Sequence, residues 1–316
     1  MIEHFLKTKI SLQFVVFLSL SILAITTVKA GYYVEGSAYE PYYRVNKSSS
    51  DLVAWATKVV KVQYGSAVDD QWKTPEKALG PATGDLYDIV SLGRGGSIVL
   101  TFDRPIRNGP GWDFAVFENG FVYSGSGLSF LELAYVEVST DGVTFVRFDS
   151  VSLTRSPVGE YSGLDHTNLH NLASKYPCGY GTPFDLYELS YKDEVKSGVV
   201  DLNNIRFVRL IDIVGNGSSK DCLGQVIYDP YPTNGSAGFD LEAVGVRYQA
   251  APVVVKGDIN GNGVVDEEDE TIALEVLAGK KPAGIRDSYP SSGADINGDG
   301  RIGMEELLYI MTKLSD

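Results

Sequence analysis

The chain has 316 residues, with 27 basic against 41 acidic side chains and a formal net charge of −14. That balance argues against nucleic acid and anionic lipid surfaces as partners, since both demand basic patches. Two cysteines are too few for a disulfide scaffold, and 44 % hydrophobic residues with 34 glycines describe a globular, turn-rich chain of one large or two ordinary domains.

Residues 1–30 read as a signal peptide. Lys7 and Lys9 precede an apolar run over 10–25, which ends at Val28-Lys29-Ala30 with small residues at the two positions a signal peptidase reads. A membrane anchor is the alternative, but the run is short for a bilayer and no basic stop-transfer cluster follows it. The protein is expected to be secreted, extracellular or at the cell surface, with no membrane span after cleavage. Export also makes Cys178 and Cys222 a candidate disulfide, with two unpaired thiols as the alternative.

Residues 31–50 lack a period and read as an extended arm. Over 51–63, Leu52, Trp55, Ala56, Val59 and Val60 fall roughly on one face of a predicted helix, with Ser50 or Asp51 as N-cap. From Ser97 the texture changes to short strands separated by turn chemistry, over 98–102, 114–117, 133–139 and 144–148, then 205–214 and 239–248. Apolar runs split by Asp141-Gly142 are a hairpin signature. Residues 152–200, rich in Gly, Ser and Asn, read as a long excursion. Spaced strands without alternating helices predict a mainly β fold, an antiparallel β-sandwich over 51–249.

Val136-Glu-Val-Ser-Thr-Asp-Gly-Val-Thr-Phe resembles the hairpin of discoidin-type, galactose-binding-like jelly rolls. Ala78-Leu-Gly, Phe207-Val-Arg-Leu and Leu241-Glu-Ala-Val-Gly-Val follow in the order that fold requires. The resemblance spans 64–248 and implies a jelly-roll sandwich, from which the segment around Trp112 and residues 152–200 depart.

Pro252 and the β-branched run beside it make 250–256 a short linker. A small α-helical domain is expected over 257–316. Asp258-Ile-Asn-Gly-Asn-Gly-Val-Val-Asp-Glu-Glu-Asp and Asp295-Ile-Asn-Gly-Asp-Gly-Arg-Ile-Gly-Met-Glu-Glu both match a 12-residue calcium loop. Such a loop needs hard oxygen donors at alternate positions and a glycine at the sixth for the sharp turn. The expected ligands are Asp258, Asn260, Asn262, Asp266, Asp269 and the Val264 carbonyl in the first loop. In the second they are Asp295, Asn297, Asp299, Glu306 and the Arg301 carbonyl, with water replacing the side chain that Gly303 lacks. Val265 and Ile302 are placed to meet as a short β-bridge. A helix follows each loop, and Leu307, Leu308, Met311 and Leu314 fall on one face of the second. Neither loop is preceded by a helix. This duplicated loop-helix resembles a dockerin module over 257–314, which implies two Ca²⁺ sites, calcium-dependent folding and docking onto a cohesin-type domain or surface scaffold. The resemblance places partner contacts at Glu267, Glu268, Met304 and Glu305; for the glutamates, solvated helix N-terminal charge is the alternative.

In the large domain, His166 and His170 have the i, i+4 spacing of zinc ligands, without the intervening Glu of the H-E-x-x-H motif. Glu118 with Asp113 is the best carboxylate pair for glycosidase chemistry, although strand alternation would put the two on opposite faces. Asp212, Asp221, Asp229 and Asp240 are a candidate structural Ca²⁺ cluster. Trp112, Tyr123, Tyr161, Tyr176, Tyr180 and Tyr187 lie on glycine-rich stretches and are candidate sugar-binding aromatics, with core packing the alternative for Trp112 and Tyr187. The expected function is a secreted calcium-binding protein whose dockerin-like module docks a partner and whose sandwich binds a carbohydrate or surface ligand, in polysaccharide catabolism. A glycoside hydrolase using Glu118, or a non-catalytic structural cell-surface protein, are the alternatives.

Overall fold

The structure, a computed structural model, describes residues 44–251, 254–286 and 289–315. The signal peptide, residues 31–43 of the arm and Pro252 of the linker lie outside them. The chain divides into two compact units, one ending at Tyr248 and the other beginning at Gln249. No helix among the described residues is long and apolar enough to cross a membrane.

Among the described residues, fifteen strands build the first unit. In chain order they are β1 Val45–Asn46, β2 Ala54–Trp55, β3 Lys58–Gln63, β4 Val90–Ser91, β5 Ser97–Ile106, β6 Phe114–Glu118, β7 Phe121–Val122 and β8 Ser129–Phe130. There follow β9 Ala134–Ser139, β10 Val146–Arg147, β11 Val151–Ser152, β12 Leu169–His170, β13 Tyr180–Phe184, β14 Ile205–Asp212 and β15 Asp240–Val246. One sheet runs β1-β13-β6-β15-β2, with β4 also paired to β15; the other runs β10-β9-β14-β5-β3. Both are antiparallel throughout. Ile98, Leu100, Val136 and Val208 from one sheet share a single core with Phe114, Val116, Phe184 and Val244 from the other. The unit is therefore an antiparallel β-sandwich. Phe114 stacks on Phe184 at 5.3 Å between ring centroids, and Phe148 closes on Phe184 at 5.1 Å.

Three expectations change. Residues 51–63 form β2 and β3 and not a helix. Val59, Val60 and Val62 favour a pleated surface, and a register shift between Val59 and Lys61, where β3 pairs with β5, breaks the period of two that would have marked a strand. Residues 152–200 are more than an excursion, because β13 from this segment lies between β1 and β6 in the main sheet. Part of the arm is also ordered strand: β1 pairs with β13, and Val45 is buried.

The second unit packs Ile259, Ile272, Ala273, Tyr289, Ala294, Leu307 and Ile310 into a small core beneath two helices, Glu267–Leu277 and Met304–Ser315. Val265 and Ile302 pack on the same core. No β-bridge joins them among the described residues.

Candidate calcium loops and an aromatic cleft

The large unit carries a cavity of about 270 Å³ at one end of the sandwich, lined in part by Tyr87, Asn119, Phe121, Phe130, Glu132, Tyr161 and Asp240. Its position follows from pairing. Leu241 of β15 lies opposite Glu118 of β6, and Asp240 lies opposite Ser91 of β4, so residues over a hundred positions apart share one strand end. The β7–β8 pair forms a wall in which Phe121 stacks on Phe130 at 5.2 Å and meets Tyr123 edge-on. The Tyr123 hydroxyl donates to the Tyr161 carbonyl, and Tyr161 lies over Phe130 at 6.2 Å. Tyr87 and Tyr161 stay 69 % and 63 % exposed. Rings held flat and open in this way suit the apolar face of a sugar.

Acids form the floor. Glu132 and Asp240 are each 2 % exposed and Glu118 is 1 % exposed. Burial pushes the Glu118 and Glu132 carboxyls well above their ordinary range, and that of Asp240 up to about 7. Asn119 Nδ2 donates to Asp240 Oδ2 at 3.1 Å. Glu118 sits beneath the cavity without lining it, and its Oε2 accepts from Gly120 N–H at 2.6 Å and Ser174 Oγ at 2.7 Å. A glycosidase acid must touch the glycosidic oxygen, and Glu118, unlike Glu132 and Asp240, does not line the cavity. Asp113 has separate surroundings, accepting from Gly109 N–H and Leu186 N–H at 2.7 Å each. The Asp113–Glu118 pair is therefore not brought together.

The four-aspartate cluster forms only in part: Asp212 lies near enough to Asp229 and Asp240 to raise their carboxyls. Asp221 closes its own turn by accepting from Leu223 and Gln225 N–H, and Asp229 accepts from Leu133 N–H. Asp212 Oδ1 accepts from Phe239 N–H and Oδ2 from Gly95 N–H, both at 2.7 Å. His166 opens a 3-10 turn and His170 lies on β12, so their spacing does not put them on a common helical face. Among the described residues no three His, Cys, Asp or Glu side chains converge on one point.

Of the remaining aromatics, Trp112 packs with Val45, Ala115 and Phe117, has the Arg247 guanidinium 4.9 Å from its ring, and lines a separate cavity with Arg247 and Asp51. Tyr176 is buried, Tyr187 is exposed away from the cleft lining, and Tyr180 is half-buried under Arg44 at 4.2 Å. Both cysteines are free thiols. Cys178 N–H donates to the Gly120 carbonyl and Cys222 N–H to the Ser150 carbonyl, which anchors them to different turns.

In the second unit, the two loops repeat one hydrogen-bond plan. The first-position carboxylate accepts from the fourth and sixth amides: Asp258 from Gly261 at 2.8 Å and Gly263 at 3.1 Å, Asp295 from Gly298 at 2.7 Å and Gly300 at 2.6 Å. Gly263 and Gly300 hold φ of 93° and 74°, the left-handed region that the sharp turn needs. Third-position Asn260 and Asn297 each accept from the fifth amide at 2.9 Å. The twelfth-position carboxylate reaches back across the loop. Asp269 accepts from Ile259 and Asp266 amides, and Glu306 from Ile296 and Gly303 amides. Asp266 and Asp269 also form a capping box on the Glu267–Leu277 helix. The donors in each loop are all hard oxygens, two of them buried carboxylates fixed from opposite ends, and this chemistry fits Ca²⁺.

Residues 256–315 match the sequence profile of the Dockerin type I domain. This segment is a dockerin. Dockerin domains bind calcium in general. No curated protein matches the chain. Among solved structures, the chain is similar to a pectin binding carbohydrate binding module at 11 % identity, covering 62 % of this chain and 94 % of that one, with a TM-score of 0.28. It is also similar to the F5/8 type C domain of a Bacteroides fragilis protein at 14 % identity, covering 63 % and 99 %, with a TM-score of 0.25. The dockerin's Glu267, Glu268, Met304 and Glu305 are all exposed. Its second helix departs from the predicted single stripe: Leu307 and Ile310 face the core, while Met304, Leu308, Met311 and Leu314 are exposed, as are Leu274 and Leu277 of the first helix.

Proposed function

We propose that the protein is a secreted, non-catalytic adaptor, in which the dockerin holds a cohesin-bearing partner and the sandwich binds a polysaccharide in its aromatic cleft. Each loop takes one Ca²⁺, through Asp258, Asn260, Asn262, Asp266, Asp269 and the Val264 carbonyl, and through Asp295, Asn297, Asp299, Glu306 and the Arg301 carbonyl. The cation supplies the cohesion that a core of seven buried residues lacks. Docking uses the apolar residues left exposed on the helices, beginning at Met304 and bordered by Glu267, Glu268 and Glu305.

The observation that carries the carbohydrate reading is the open aromatic wall, Tyr87, Phe121 and Tyr161, standing beside polar groups at the foot of one cavity. Polysaccharide breakdown is the biology this pairing of modules serves. The test is an array of polysaccharides and a panel of cohesins, each measured with and without Ca²⁺ and scored for binding and reducing-end release together. Expected are cohesin capture lost on chelation, glycan binding weakened roughly tenfold or more by Tyr161→Ala, and no release of reducing ends. Glycan turnover, or binding untouched by Tyr161→Ala, refutes the assignment.

A further inference from the structure

The foot of the cleft holds more negative chemistry than a neutral sugar requires. Glu132 Oε1 and Asp240 Oδ1 are buried and make no well-formed hydrogen bond, with only the Thr233 hydroxyl near Glu132 and the Ser91 and Ser236 hydroxyls near Asp240, and both residues line the cavity. Behind them lie Glu118, whose Oε1 is likewise unpartnered, and Asp229. No ion pair reaches any of the four among the described residues. Orphaned acceptors of this kind are costly, and a group that brings both hydrogen-bond donors and positive charge relieves them best.

We propose that the cleft selects an amino sugar whose amine is free and protonated, with the ammonium received by Glu132 and Asp240 and the ring laid on the Phe121–Tyr161 wall. The proposal rests on the carbohydrate reading above. An ammonium carries three donors and a full charge, whereas a hydroxyl carries one donor and an N-acetyl amide one donor without charge. The aromatic faces add attraction for a cation. A bare metal ion is the weaker occupant, because among the described residues only two carboxylates, Glu132 and Asp240, line the cavity. The carboxyls, pushed up by burial, regain their charged form when a cation arrives.

The test uses the full chain in saturating Ca²⁺, titrated calorimetrically with glucosamine oligomers, N-acetylglucosamine oligomers, glucose oligomers and a lysine-rich peptide. The expected result is at least tenfold tighter binding of the free-amine oligomer than of its acetylated counterpart. Glu132→Gln and Asp240→Asn should each abolish most of that preference, so that the free-amine and acetylated oligomers bind each variant alike. Cooperative melting of each variant checks its fold, and if one fails to fold the wild-type comparison alone decides. Equal affinity for free and acetylated oligomers overturns the amine proposal and leaves the carbohydrate reading standing. No binding of any oligosaccharide overturns both, and a preference for the peptide over the amino sugar overturns the choice of ligand.

Discussion

The buried acids of the sandwich predict an inverted pH dependence of stability. Asp240 and Asp113 are each pushed by burial to about 7 in the folded chain, against 3.8 for an unperturbed Asp. Between those values the folded state holds protons that the unfolded chain has released, so stability falls as pH rises through the window. At about 1.4 kcal/mol per pH unit, raising the pH from 5 to 8 should cost roughly 3 kcal/mol for each of the two carboxyls. With roughly 2–4 °C per kcal/mol for a unit of this size, each lowers the melting temperature by roughly 5–10 °C. Asp240→Asn keeps a polar partner for Asn119 and removes the ionisation. It should raise the melting temperature by about that amount at pH 8 and by less at pH 5. The assay is scanning calorimetry from pH 5 to 8 in saturating Ca²⁺, following the transition of the large unit. A transition that stays level or climbs across this range, or a variant shifted equally at both ends, would refute the reasoning.

Chelation should erase the helical signal of residues 256–315 reversibly and leave the sandwich transition in place, and Asp258→Ala should halve the calorimetric Ca²⁺ stoichiometry. Helicity unchanged by a chelator would sink the two-ion assignment. Thiol titration without reductant should find two reactive groups per chain. Exposed Cys222 should react first, and Cys178, whose thiol burial pushes up to about 11, far more slowly; a count of zero would restore the disulfide. Gly96→Ala should cost about 3 kcal/mol or more, because its Cβ would lie 1.9 Å from the Leu92 carbonyl oxygen, and denaturant titration reads this directly. Phe184→Ala should cost about 3–5 kcal/mol by emptying the Phe114–Phe148 stack, and a loss under 1 kcal/mol would show that the core is not shared as described.

The dockerin segment was legible in the sequence because its information is local: each twelve-residue loop carries acids, glycines and cap in fixed spacing. The sandwich was legible as a class, since Asp141-Gly142 and the later strands are also short-range features. The cleft was not. Pairing of β15 with β6 and β4 brings the Asp240 end of β15 to Glu118 and Ser91, Glu132 joins it from the segment between β8 and β9, and no periodicity encodes that. One clue existed at Glu132, a lone acid inside the apolar run of Phe130, Leu131 and Leu133, where a charged residue needs a reason to be. Tyr123 and Tyr161 were found as candidates and do meet; Trp112, an equal candidate by composition, lines a separate cavity with Arg247, whose approach no local pattern announces. The disulfide failed because export permits a bridge without bringing two turns together.

Asp212 joins the two layers of the sandwich at one end, gripping the amide before β5 and the amide before β15 with the two oxygens of a single side chain. That clasp lies one residue from Asp240, so the acidic base is part of the chassis. Of the β7–β8 hairpin, β8 is buried and bridged to Leu164, whereas β7 and the turn through Gly125 and Gly127 stand outside. Residues 121–127 could therefore be exchanged to reshape the wall of the cleft, with the frame left intact.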